Sequence, residues 1–215
     1  MISVPCRSER HFDFEPAGTA LLVVDMQRDF LERGGEEGAA LRAVIPRVRD
    51  IVAAARAAGL TIVHTREGYA PDRSDVTPAK AAMGYVGRPG PDGPFLIRGA
   101  RGHDFADELK PAEDEPVIDK PGFSAFYRTE LEAALRERRV THLVLAGVTT
   151  QCCVHSTLRD AVERGFFCLT VEDACAAVDP ALHEAALTVI QGEDHLFGWI
   201  ARARDLLAAL EGNAT

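Results

Sequence analysis

Short apolar runs alternate with helical stripes along this chain, and that alternation limits the fold more than any other feature. Ala20-Leu21-Leu22-Val23-Val24 is a continuous apolar run, as expected of a strand buried on both faces. Leu41, Val44, Ile45, Val48, Ile51, Val52 and Ala55 follow helical spacing, with Pro46 marking a start or a kink and Gly59 a stop. The spacing then predicts strands over Leu60–Val63, His142–Val148 and Phe166–Val171, with Val117-Ile118 a short further strand. Helices are predicted over Thr129–Arg138, Cys152–Arg164, Pro180–Ile190 and Trp199–Leu210. Strands alternating with helices imply right-handed crossovers and a parallel sheet, whose ligands sit beyond the carboxyl ends of the strands. That rule singles out Asp25, His64 to Arg66, and Val148 to Cys153.

One domain accounts for all 215 residues. Residues 1–18 read as an N-terminal arm. Between Arg66 and Gly122 lie 8 of the 12 prolines and 8 of the 18 glycines, so 66–116 reads as a covering or subunit-contact segment. A formal net charge of −9 without a basic cluster argues against nucleic acid or an anionic membrane as partner. No apolar run is long enough to span a bilayer, and Met1 to His11 lacks the apolar core of a signal peptide. Five cysteines, two adjacent and none in a CxxC pair, fit free thiols in a reducing cytoplasm rather than a disulfide or zinc framework.

The segment Gly147-Val148-Thr149-Thr150-Gln151-Cys152-Cys153-Val154 runs from a buried strand into a helix. With Thr150 as N-cap, Cys153 falls in the first helical turn. There the helix dipole lowers a thiol's pKa, and unpartnered N–H groups can hold an oxyanion. The same two cysteines also read as small core residues, and spacing alone leaves both readings open. A thiol nucleophile needs a base. Asp25, a carboxylate directly after apolar residues, is either that base or a cap. His64, near a strand end, is the best histidine alternative; His155 points to another helix face from Cys153. Lys120, before Pro121-Gly122, is a turn residue unless it lies near both thiol and carboxylate, where it would stabilise the thiolate.

Together Asp25 in Leu21–Gln27, Lys120 in Asp119–Gly122 and Cys153 in Gly147–Val154 occur in an order that resembles the isochorismatase-like cysteine hydrolases, over roughly Thr19 to Leu210. The resemblance implies a three-layer α/β/α fold with a central, mostly parallel sheet. It implies Cys153 as nucleophile, because the family spacing G-V-x-T-x-x-C-V ends there, with Asp25 as general base and Lys120 as positioned cation. It further implies a cis peptide between Val148 and Thr149, and an oxyanion hole from the N–H groups of Thr149 and Cys153. Family members without the nucleophile act on isochorismate, and Cys153 sets this chain apart from them.

Further segments resemble the biuret-hydrolase branch: His64-Thr65-Arg66-Glu67-Gly68, Pro71-Asp72, Ser74-Asp75, Gly90-Pro91, Arg98-Gly99 and Ile190-Gln191-Gly192. The resemblance implies Gln191 as a substrate-binding amide, able to donate to and accept from a ureide. Arg66 is expected to orient a carbonyl or carboxylate, and Phe30 and Tyr127 to wall the pocket. Cys152 and the polar stretch Gly192-Glu193-Asp194-His195 depart from the pattern. Thr65-Arg66-Glu67-Gly68-Tyr69 lacks the Asp-x-His pair that holds metal in nicotinamidases, so no catalytic metal and no cofactor are expected. The implied activity is cleavage of a C–N bond in a small linear ureide, biuret or triuret first, with ammonia released through a Cys153 thioester. Alternatives are another small amide (ureidoacrylate, an N-carbamoyl amino acid or nicotinamide) or a non-catalytic thiol sensor. A homodimer or homotetramer is the implied assembly.

Overall fold

The computed structural model describes residues 1–212. In chain order the elements are β1 (Ile2–Pro5), β2 (His11–Phe14), β3 (Thr19–Val24), α1 (Arg28–Leu31), α2 (Gly35–Arg42), α3 (Ile45–Ala57) and β4 (Thr61–Glu67). Then come α4 (Pro78–Met83), the two-residue strands β5 (Pro89–Gly90) and β6 (Gly93–Pro94), β7 (Val117–Lys120), α5 (Leu131–Glu137) and β8 (His142–Val148). The chain closes with α6 (His155–Glu163), β9 (Phe167–Ala176), α7 (Pro180–His195), β10 (Trp199–Ala201) and α8 (Ala203–Glu211).

Six strands form one sheet in the order β10-β9-β8-β3-β4-β7, and every neighbouring pair is parallel. Alternate residues of β3 face opposite layers. Leu21 and Val23 join the core made with α3, α8 and the β1–β2 hairpin; Ala20, Leu22 and Val24 join that made with α5, α6 and α7. The result is the expected α/β/α sandwich. A satellite cluster of Tyr69, Val86, Phe95, Leu96 and Ile97 organises the Pro/Gly-rich segment.

Several boundaries differ from the sequence reading. Pro46 opens α3, and the stripe containing it is split from α2 by Ala43-Val44. Trp199–Leu210 is not one helix: Trp199–Ala201 adds an edge strand beside β9 before α8 begins, since a short apolar run carries no periodicity of its own. Residues 1–18 are a docked hairpin, with Ile2, Val4, Phe12 and Phe14 buried against the same core as Leu206 and Leu210 of α8. A π-type turn, Thr150–Val154, precedes α6, and no side chain caps it. Thr150, read as the cap, instead pairs its Oγ1 with His183 Nδ1 at 2.8 Å.

Candidate active site

Four strand ends converge beyond the carboxyl edge of the sheet. Asp25 follows β3, Glu67 ends β4, Lys120 ends β7, and β8 runs through the π-type turn to Cys153. Register fixes two of them: Glu67 and Lys120 are direct partners across the β4–β7 pair. The crossing of β8 beside β3 needs a residue without a side chain. Gly147 pairs with Val24 at φ +124°, where a Cβ would lie 2.1 Å from the Val24 carbonyl oxygen. The following Val148–Thr149 peptide is cis.

Asp25 is fully buried and sits at φ +50°, a costly conformation for a residue with a side chain. Its Oδ1 accepts from Thr65 Oγ1 at 2.6 Å, while Oδ2 lies 2.7 Å from Lys120 Nζ. Lys120, also fully buried, donates to the Gly122 carbonyl at 2.8 Å. Burial, with the nearby Glu67, holds the Asp25 carboxyl above its ordinary pKa despite Lys120. Burial works against the charged form of Lys120, but Asp25, Cys153 and Glu67 overcome it and keep the ammonium above its usual range.

Cys153 is buried, and its thiol is within 3.6 Å of Glu67 Oε2. One ligand atom each from Asp25, Glu67 and Cys153 lie mutually within 4.8 Å. A cluster of two carboxylates and a thiol could in principle take a cation, but the Lys120 ammonium already stands against Asp25. The expected low thiol pKa is not what this environment gives. The hydrogen bond with Cys152, burial and the two carboxylates raise the Cys153 thiol, and Lys120 only opposes them. Cys152 is the one lowered, by that same hydrogen bond. A protonated thiol beside a carboxylate of raised basicity is suited to proton transfer when a substrate arrives.

Around Glu67 is a group that the sequence reading passed over. Its Oε1 accepts from Tyr69 Oη at 2.6 Å and from Tyr85 Oη and Lys80 Nζ, each at 3.3 Å. Lys80 Nζ sits 3.4 Å from the centroid of the Phe123 ring. Gln27 holds the Glu67 backbone from both sides: its amide donates to the Glu67 carbonyl, and its carbonyl accepts from the Glu67 N–H. The local signal was weak, since His64-Thr65-Arg66 precede Glu67 and hide that the strand is buried there. Tyr85 and Lys80 had none, because only the folded segment brings them back.

Other expected site residues are placed elsewhere. Arg66 turns its guanidinium to Asp119, at 2.7 and 3.0 Å, bordering a separate hollow of about 370 Å³ with Arg98 and His103. Gln191 donates to Ser8 Oγ at 2.7 Å, and helical geometry breaks just after it at Gly192. Phe30 packs edge-on against Phe95. Tyr127 lines a hollow of about 390 Å³ whose walls include Lys80, Gly122 and Phe123, so it borders the site. Among the described residues none of these four hydrogen-bonds to Asp25, Lys120 or Cys153. His64, the alternative base, is bound to Glu115 Oε2 at 2.9 Å.

The isochorismatase domain model matches residues 19–205. The chain belongs to the isochorismatase family. Ureidoacrylate amidohydrolase RutB of Klebsiella pneumoniae subsp. pneumoniae is 35% identical over 225 residues, covering 98% of this chain and 94% of the relative. The protein of that name from Methylorubrum extorquens is 34% identical over 227 residues, covering 99% and 90%. A cysteine hydrolase from Pseudomonas syringae pv. phaseolicola has a similar structure, with TM-score 0.85 at 26% identity over 94% of this chain and 96% of that one. N-carbamoylsarcosine amidase from Thermoplasma acidophilum gives TM-score 0.70 at 27% identity, covering 86% and 96%. For this isochorismatase-family chain, then, the three-layer fold and the family inferred from sequence both hold. The curated relatives named here are called ureidoacrylate amidohydrolases, the name of the alternative substrate rather than of biuret. Among the described residues no helix is long and apolar enough to cross a membrane.

Proposed function

We propose that this protein is a cysteine amidohydrolase that cleaves a C–N bond of a small linear ureide, with Cys153 as nucleophile, Asp25 as general base and acid, and Lys120 as the cation that holds Asp25. The observation that carries the reading is one buried thiol within 4.8 Å of the carboxylate of Asp25, itself ion-paired to Lys120. The amide hydrolases among its relatives support the reaction class.

Asp25 takes the Cys153 proton, and the sulfur forms a bond to the carbamoyl carbon as the carbonyl electron pair moves to oxygen. The N–H groups of Thr149 and Cys153 are the donors for that oxyanion. Collapse breaks the C–N bond, and Asp25 returns the proton so that ammonia leaves. Water, deprotonated by Asp25, then attacks the thioester, and the thiol is restored as the acid departs. Biuret and triuret are the first substrates to test, on the strength of the segments shared with that branch. Ureidoacrylate is the second reading, supported by the 35% identity to enzymes bearing that name.

Five free thiols favour a cytoplasmic setting. A homodimer or homotetramer remains our expected assembly, measurable by light scattering. The deciding experiment is ammonia release from biuret, triuret, ureidoacrylate, N-carbamoyl amino acids and nicotinamide, with Cys153→Ala alongside. Fast turnover of one ureide that vanishes in the variant is the expected result. Equal turnover by the variant would remove Cys153 from the chemistry.

A further inference from the structure

The mechanism above leaves one buried charged group beside the nucleophile unused. Glu67 is 2% exposed, and its two oxygens do different things. Oε1 is filled by Tyr69, Tyr85 and Lys80. Oε2 faces the thiol, at 3.6 Å from Sγ. Once that proton passes to Asp25, Oε2 looks at a thiolate, and two like charges at that range repel strongly in a site shielded from water. A donor arriving with the substrate relieves this; a second anion makes it worse.

The cations nearby offer no relief to an anionic ligand. Lys120 is paired with Asp25, and Lys80 with Glu67. Arg66 is turned away to Asp119. Lys80 also lies against the Phe123 ring and donates to Tyr85 at 2.9 Å, so its charge is used. Among the described residues, a carboxylate-bearing substrate entering here would meet two carboxylates and no unpaired ammonium beside the thiol.

We propose that Glu67, ion-paired with Lys80 and fixed by Tyr69 and Tyr85, is the specificity-determining residue of this site: its Oε2 accepts an N–H from the substrate beside the scissile carbonyl and excludes amides carrying a carboxylate there. This rests on the amidohydrolase reading. It selects uncharged ureides with N–H groups on both sides of the carbonyl. Discrimination of this kind works through the repulsive element as much as the attractive one. It separates the two substrate readings, because biuret and triuret are neutral and ureidoacrylate is an anion.

The test uses two thiol reagents of nearly equal size, iodoacetamide and iodoacetate, on the full-length protein. Alkylation rates at Cys153 are read by peptide mass spectrometry. Their ratio is divided by the same ratio for N-acetylcysteine, which removes intrinsic reactivity. Wild type is expected to favour the neutral reagent by about tenfold or more. Glu67→Gln should bring the ratio to within about threefold of the free thiol, and Lys80→Met should raise it above wild type. Circular dichroism establishes that each variant is folded. Should Glu67→Gln not fold, the Lys80→Met arm decides alone. No preference in wild type, or a ratio unmoved by the folded variants, overturns the proposal.

A second measurement compares kcat/KM for biuret with that for N-carbamoyl-β-alanine in wild type and Glu67→Gln. The variant should narrow the biuret preference by about tenfold. Failure of the two readings is distinguishable. Ureide turnover with an unchanged reagent ratio removes Glu67 as the selector and leaves the amidohydrolase reading intact. A reagent ratio that shifts as expected without turnover of any amide removes the amidohydrolase reading and leaves the charge selection at Cys153.

Discussion

Asp25 Oδ2 and Lys120 Nζ meet at 2.7 Å with both side chains fully buried. Removing one partner strands the other's charge in the interior. Lys120→Met should therefore cost about 3–5 kcal/mol of stability. Adding Asp25→Asn to Lys120→Met should recover a large part of that, because the stranded carboxylate is gone. Urea unfolding of the two single variants and the double variant measures this coupling. Asp25→Asn alone should keep the fold and lower kcat by about 10²–10⁴; full activity in it would transfer the base role away from Asp25.

The acid limb of the kcat/KM profile should lie above the ordinary carboxylate range. Burial, reinforced by Glu67, raises the Asp25 carboxyl, and activity requires it ionised. Activity is then lost as pH falls through that raised value. Glu67→Gln removes one raising influence, so the limb of its residual activity should move to lower pH. A limb that does not move would separate Glu67 electrostatically from Asp25.

A second ionic cluster governs acid stability. Despite its burial, Glu115 has its pKa lowered from 4.5 to about 2 by Arg56 and His64. Burial lowers His64 as well, despite Glu115. Both folded-state values are below the unfolded ones, so the unfolded chain binds more protons in acid. The His64 contribution fades as pH drops below about 6.5. The Glu115 contribution, about 2–3 kcal/mol, is intact above its ordinary value and disappears as pH falls from there towards 2. Glu115→Gln should flatten stability between pH 4.5 and about pH 2, the window in which that contribution is lost, read by thermal melts across that range.

Gly147→Ala should be among the most damaging small substitutions. The φ of +124° is foreign to alanine, and its Cβ would meet the Val24 carbonyl oxygen at 2.1 Å. A loss of about 3 kcal/mol or more is expected. That corresponds to a Tm lower by roughly 6–12 °C for a domain of this size. Activity should fall along with it, because Gly147 leads directly into the turn that carries Cys153.

Much of this was legible in the sequence, for identifiable reasons. Strands such as His142–Val148 declare themselves because both faces are buried and the run after His142 carries no polar side chain. Asp25 stands out as a polar group at the end of such a run, and Cys153 stands out in the strand-to-helix segment that follows one. Glu67 comes after the polar His64-Thr65-Arg66 and before a long irregular segment, so nothing local says that Tyr69, Lys80 and Tyr85 gather on it. Trp199–Ala201 is too short to show a period, and only the vacant edge of β9 makes it a strand. Thiol ionisation was misjudged because the helix-dipole argument sees the turn's backbone alone, whereas the hydrogen bond with Cys152 and burial dominate at Sγ, with Asp25 and Glu67 adding to them.

The docked hairpin bears on how this protein is made. Ile2, Val4, Phe12 and Phe14 find their cover partly on Leu206 and Leu210. A ribosome delivers those leucines long after the phenylalanines. For most of translation the first strands therefore lack the α8 part of their cover, and α3 alone of the two helices shields that side of the sheet. The nascent chain is at its stickiest while the enzyme-like face, from Asp25 to Cys153, is already in sequence and unassembled. Exposure of these strands to chaperones should therefore persist until α8 emerges and covers them.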